Sequence, residues 1–212
     1  MKYDKNDIRS MEKRLRANLI NSITGIKPAN LIGTKSVNGI SNLAIFTSVF
    51  HMGSNPALIG MLFRPDKDVR RHTLENIRES KVYTINHVVG SHVLQAHYTS
   101  AKFDSQESEF ERCGFTEEYV QGFEAPLVME STIKMGLNFR KEIPIDLNGT
   151  ILVIGEIEFI HVDAECLQDN GYLDLQQSSS IGVSGLNSYY RLQKIGDLPY
   201  ARPEELPSFE TM

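Results

Sequence analysis

The sequence predicts a mainly β fold with added helices, an antiparallel barrel or sandwich rather than a doubly wound sheet. Three observations carry this. Short apolar segments rich in Ile and Val recur with turn signals between them. Single helices and loops separate those segments, whereas a doubly wound sheet alternates its strands with long helices. Two Asn-Gly pairs, Asn38-Gly39 and Asn148-Gly149, fall between apolar runs and mark tight turns.

Residues 5–20 read as an amphipathic helix, with Asp7 as its cap and Ile8, Met11, Leu15 and Leu19 on one face. Lys13, Arg14 and Arg16 form a solvated face. Ala29–Gly33 is the first strand, Asn42–Phe50 the second and Ala57–Phe63 the third. A helix over residues 73–80 and a strand over Val82–Asn86 follow. The polar stretch over residues 90–125 predicts short helices at Val93–His97, Ser108–Cys113 and Thr116–Gln121. Val128–Phe139 and Thr150–Val162 are strands joined by the second Asn-Gly turn. From Gly171 to Met212 the pattern weakens, and Pro199, Pro203 and Pro207 predict an extended tail lying over a surface, such as that of a partner subunit. No repeat or composition break divides the chain, so one domain over residues 1–212 is expected, with an N-terminal helix and an extended C-terminal tail.

The 212 residues suffice for a sizeable core, and 41% hydrophobic with 23% charged residues is the balance of a soluble globular protein. No apolar run approaches a membrane span, and the first twenty residues lack the apolar stretch of a secretory leader, so a cytoplasmic protein without a membrane partner is expected. Cys113 and Cys166 lie far apart with no metal or redox spacing, and read as free, non-catalytic thiols. His87, His92 and His97 recur every five residues, which is not the spacing of a helical metal pair, and no metal site is expected.

Two segments carry chemistry. In Arg70-Arg71-His72-Thr73-Leu74-Glu75-Asn76-Ile77, cations run into a threonine placed to cap a helix, with Leu74, Ile77 and Lys81 at helical spacing. A helix N-terminus has unpaired N–H groups and partial positive charge, and added cations make it a seat for phosphate. On a chain of net charge −5, such a local basic knot points to a small phosphorylated ligand rather than to nucleic acid. The competing reading is that Arg64, Arg70 and Arg71 pair with Asp66, Asp68 and Glu75 as solvated surface charges. The second segment, Gly39 to Ser48, is rich in small and hydroxyl residues and leaves room for a flat ligand close to the backbone, with Thr47 and Ser48 as donors. Its bland alternative is a strand edge with incidental hydroxyls.

Together with Ser54-Asn55-Pro56, Tyr83-Thr84-Ile85-Asn86, Thr99-Ser100-Ala101-Lys102-Phe103, Ser108-Glu109-Phe110, Ala125-Pro126, Glu130-Ser131, Ile154-Gly155-Glu156 and Tyr200-Ala201-Arg202-Pro203, these segments resemble the flavin reductase-like proteins in order and spacing. Those are the FMN-binding split-barrel flavoproteins that include flavoredoxin. The resemblance covers roughly residues 20–203. It implies a homodimer of split β-barrels with noncovalent FMN near the subunit interface. By resemblance, Asn42, Ala44, Ile45, Phe46, Thr47 and Ser48 lie against the isoalloxazine and ribityl chain. Arg64, Arg71, His72 and Thr73 lie towards the phosphate, and Ser100 and Lys102 belong to a segment that also approaches the flavin.

In such a protein the flavin does the redox chemistry, so no triad or essential base is expected and no catalytic residue is assigned. The first reading is a reductase that takes electrons from NADH or NADPH and passes them to flavin or another acceptor. Many of the reductases place a histidine at the turn occupied here by Leu147-Asn148-Gly149, and His161 on the following strand reads as structural. That departure favours a second reading, a non-enzymatic flavoredoxin-like electron carrier reduced by a partner protein. A third is a module holding pyridoxal phosphate or haem on a related barrel.

Overall fold

The computed structural model describes residues 1–208. The single helix expected over residues 5–20 is two, α1 (Lys5–Ser10) and α2 (Lys13–Ser22). Met11 leaves the helical region with ψ 145°, and the Glu12 carboxylate then accepts from the N–H groups of Arg14 and Leu15, each at 2.9 Å, to start α2 afresh. The cap of α1 is Asp4, and Asp7 is its capping-box partner in the first turn.

Five strands follow: β1 (Lys27–Pro28), β2 (Asn30–Lys35), β3 (Ser41–Phe46), β4 (Val49–Ser54) and β5 (Ala57–Phe63). Next come α3 (His72–Ser80), β6 (Val82–His87), α4 (Val93–Tyr98) and α5 (Glu109–Cys113). The rest is β7 (Glu117–Val120), β8 (Phe123–Val128), β9 (Ile133–Ile145), β10 (Thr150–Val162), β11 (Ile181–Ser184) and β12 (Ser188–Arg191).

Seven strands form one antiparallel sheet in the order β3-β2-β6-β9-β10-β5-β4. Its edges, β3 and β4, are consecutive in the chain and joined only by Thr47 and Ser48. Edges this close in the chain require the sheet to roll into a barrel. Across the seam, the rings of Phe46 and Phe63 meet edge to face with centroids 4.9 Å apart, and the Leu62 N–H donates to the Ser48 carbonyl at 2.9 Å. The strand expected over Asn42–Phe50 is therefore broken at Thr47-Ser48, where neither Gly nor Pro marks the bend.

Alternation along the strands sorts side chains onto two faces. Inside the barrel, Ile32, Phe63, Ile85 and Leu137 pack with Leu74 and Ile77, so α3 plugs the barrel with the apolar face its spacing predicts. Outside, Leu31, Leu43, Ala96, Phe110, Val128 and Val183 form a second cluster shared with α4, α5 and β11.

Three further expectations are corrected. Thr116–Gln121 is not helical: Glu117–Val120 is β7, which pairs with β8 around a turn at Gly122, φ +81°. The strand expected over Val128–Phe139 breaks where the Ser131 N–H returns to the Val128 carbonyl, and β9 then runs on to Ile145. Beyond Gly171, β11 and β12 form a hairpin on β1 through Gly185, φ +64°. The tail from Leu192 is extended apart from one short turn at Pro203–Glu205, with Ile195, Leu198 and Tyr200 exposed; its last four residues lie outside the described residues. Cys113 and Cys166 are free and buried, and burial pushes both thiols up, away from the reactive thiolate. Among the described residues, no helix is long and apolar enough to cross a membrane.

Candidate functional site

β3 is a sheet edge whose outward N–H groups are taken by side chains. The Leu43 N–H donates to Glu109 Oε2 and the Ile45 N–H to Thr99 Oγ1, each at 3.0 Å. By the alternation of an antiparallel ladder, Asn42, Ala44 and Phe46 turn their N–H groups to β2, opposite Thr34, Ile32 and Asn30. Glu109 is buried; burial pushes its carboxyl above the usual range, and the Leu43 N–H opposes that shift.

This pattern divides the strand residues singled out from the sequence. The backbone N–H of Ile45 belongs to Thr99, and its side chain packs in the outer cluster. Phe46 packs inward on Phe63, and Ala44 shares its face. Asn42 is buried and its Nδ2 donates to Thr73 Oγ1 at 3.0 Å, which ties β3 to the first turn of α3. Thr47 and Ser48, half-buried in the crossing between the sheet edges, differ: among the described residues neither hydroxyl has a hydrogen-bond partner.

Thr73 does not cap its helix. It is the second residue of α3, and the N-cap position is held by Arg71, at φ −123° and ψ 84°, with no side chain capping the helix. Its hydroxyl faces Asn42 instead, and the first intrahelical bond runs from the Glu75 N–H to the Arg71 carbonyl. The N–H groups of His72, Thr73 and Leu74 have no protein acceptor among the described residues. A nine-residue helix thus opens with unpaired donors and the positive end of its dipole.

The cations around that terminus take different roles. Arg70 is withdrawn into an ion pair with Glu75, at 2.6 Å, as the solvated-charge reading expects. That pairing raises the Arg70 guanidinium and holds the Glu75 carboxyl low. Asp66 pairs with Arg78, which also binds Glu142. Arg71 spends only its Nε, on the Pro65 carbonyl at 3.2 Å, and neither Arg71 nor the exposed Arg64 makes an ion pair among the described residues. Half-buried His72 opens the helix. In the segment after α4, Ser100 Oγ donates to the His97 carbonyl at 2.7 Å, and Lys102 is exposed without an ion pair among the described residues. The contact of that segment with β3 is made by Thr99. Three segments therefore meet on one strand: α3 through Asn42–Thr73, α4 through Thr99–Ile45, and α5 through Glu109–Leu43.

Two clefts lie elsewhere and contain none of these residues. One, of about 560 Å³, runs between the β2–β3 and β7–β8 hairpins past Lys35, Gly39, Tyr119 and Phe123. The other, of about 470 Å³, lies beside Gly90 and Arg191. His161 is exposed on β10, its ring 5.3 Å from that of Phe159.

The flavin reductase like domain family matches residues 26–179. Among solved structures, a protein of Shewanella frigidimarina NCIMB 400 assigned as a flavin reductase with a split barrel domain is 47% identical, with a TM-score of 0.91 over 95% of this chain and 100% of that one. Nitrilotriacetate monooxygenase component B from Bacillus cereus is 20% identical, with a TM-score of 0.83 over 93% of this chain and 98% of that one. Flavoredoxin of Desulfovibrio vulgaris (Miyazaki F) is 22% identical, with a TM-score of 0.73 over 83% and 92%. The last two share the fold.

Proposed function

The chain belongs to the flavin reductase-like family, and from that membership we propose that it binds FMN on β3 and the start of α3 and moves electrons from NADH or NADPH to flavin or another acceptor. The observation that carries the siting is the uncapped N-terminus of α3 beside an unpaired arginine. The His72, Thr73 and Leu74 N–H groups and the terminal NH₂ groups of Arg71, whose Nε is held by Pro65, supply donors without acceptors, the complement of a phosphate. Thr73 accepts from Asn42 and keeps its own O–H to donate. Thr47 and Ser48 offer free hydroxyls that would donate to the polar edge of the flavin ring. Arg64 and Lys102, exposed and without ion pairs among the described residues, are further cations for the ligand, whereas the Ser100 hydroxyl is spent on the His97 carbonyl. These residues fit FMN as a ligand.

When bound, FMN supplies the redox chemistry, and the protein supplies position and fixed dipoles. Thr99 and Glu109 hold the edge of β3 straight by taking the N–H groups of Ile45 and Leu43. Asn42 locks that strand to the helix carrying the anion seat, so ring and phosphate subsites keep one spacing.

We place the site near the interface of a homodimer. The exposed Ile195, Leu198 and Tyr200 on the tail, with Phe50 and Met52 on the edge strand β4, are apolar surface suited to a second copy. Light scattering of the purified protein should give twice the chain mass; a monomer would remove this element.

Anaerobic addition of NADH or NADPH to the yellow protein should bleach its visible absorption. Reduction by dithionite alone would remove pyridine nucleotides as donors. The turn Leu147-Asn148-Gly149 favours a second reading, an electron carrier reduced by a partner protein, and bleaching that requires such a partner would select it.

A further inference from the structure

We propose that the cleft between Gly90 and the end of β12 binds a small oxyanion, a phosphate- or carboxylate-bearing molecule, through Arg191. The cleft measures about 470 Å³ and is built from three segments far apart in the chain. Gly90 and Ser91 follow β6, Gln176 and Ser179 precede β11, and Arg191 and Gln193 lie at the end of β12. No lining residue is acidic, on a chain whose net charge is −5.

What faces this cleft is a set of donors lacking acceptors. Arg191 makes no ion pair among the described residues, and the Ser179 hydroxyl and the Gln193 amide have no hydrogen-bond partner among them. Gln176 uses only its Oε1, which accepts from the Lys194 N–H at 3.0 Å and leaves its NH₂ group free. A guanidinium, a hydroxyl and two amide NH₂ groups are answered by a ligand that offers acceptors and negative charge.

The walls are preformed. The Gly90 N–H donates to the Ser179 carbonyl at 3.0 Å, and Val89 bridges to Ser180. Ser180 is held from behind by Ser178 Oγ at 2.7 Å and His87 Nδ1 at 3.1 Å. Burial lowers His87 to about 4, so that imidazole stays neutral behind the wall and leaves Arg191 as the charge on the cleft. Ser179 adopts φ +54°, a left-handed conformation that few non-glycine residues hold. Arg191 is fixed at its base by pairing with Ile181 across the β11–β12 hairpin. Preformed walls lower the ordering cost of binding. The cleft shares no residue with the start of α3, so the inference stands apart from the flavin reading.

Calorimetric titration of the purified full chain in saturating FMN, which occupies the proposed phosphate seat on α3, with inorganic phosphate and separately with succinate, tests this. Saturable binding of at least one anion is expected, weakened about tenfold or more in Arg191→Gln and more modestly in Gln193→Ala, and unchanged in Lys141→Gln, which alters an exposed cation on β9 away from the cleft. Tighter phosphate assigns a phosphorylated ligand, and tighter succinate a carboxylate. Absence of saturable binding to the native chain overturns the proposal. So does binding kept at native strength in Arg191→Gln, which would put the anion outside this cleft.

Discussion

The two ends of β3 differ in how their polar groups are spent. At its start, Ser41 bonds Ser108 and Glu117, Asn42 bonds Thr73, and the Leu43 N–H bonds Glu109. At its end, the Thr47 and Ser48 hydroxyls have no partner among the described residues, and the helix tied to the strand's start opens with unpaired N–H groups. Buried polar groups without partners are costly, so a satisfied cluster is architecture. Half-exposed donors without partners are free to receive a ligand. The same strand thus carries satisfied scaffold at one end and leads into unpartnered hydroxyls at the other.

The comparison breaks most severely at the helix. Leu74→Ala removes a fully buried side chain from the barrel plug and should cost ~2–5 kcal/mol, read as a lower urea midpoint. An unchanged midpoint would show that α3 does not anchor the core. Arg71→Ala should weaken FMN retention by ~1.5–3 kcal/mol, with stability moved by less than ~0.5 kcal/mol. Equal losses in both measurements would make Arg71 scaffold. Asn42→Ala should do the reverse, costing ~1–3 kcal/mol of stability because Thr73 loses its buried partner. Thr47→Val should cost ~0.5–1.5 kcal/mol of FMN affinity and leave the urea midpoint in place.

Acid sharpens the comparison at the far end, where His87 stands beside Asn30, itself opposite Phe46. Its folded pKa, about 4, lies below the ordinary 6.5, so the unfolded chain binds the proton more tightly. Its stabilising contribution is full above pH 6.5 and is lost as pH falls towards 4. The urea midpoint should drop across that window in the native chain and drop less in His87→Gln. Parallel curves for the two proteins would remove His87 as the cause.

Periodicity made the long elements legible. β9, β10 and α3 carry apolar repeats of their own, and Leu74 and Ile77 announce the buried face of α3. What stayed hidden depended on distant partners. The break at Thr47-Ser48 exists because the sheet closes there, which no local turn residue signals. Thr73 has the chemistry of a cap, but its hydroxyl is claimed by Asn42, 31 positions away. β7 reads as a helix until its pairing with β8 is known, and β11 and β12 are short strands whose partner β1 lies at the other end of the chain. Likewise Thr99 and Glu109 stand in segments that carry the family resemblance, but their service to the edge of β3 appears only in three dimensions. The cluster of cations and unpaired donors at the start of α3 was readable because its parts are neighbours in the chain, although Arg70 turns away to Glu75.

The most direct measurement compares FMN with riboflavin, which lacks the phosphate, by fluorescence titration of the flavin-free protein. FMN should bind ~10–100-fold more tightly, the worth of charge-assisted bonds at the start of α3, and Arg71→Ala should shrink that margin. Riboflavin binding as tightly as FMN to the native chain would contradict a phosphate seat on this helix.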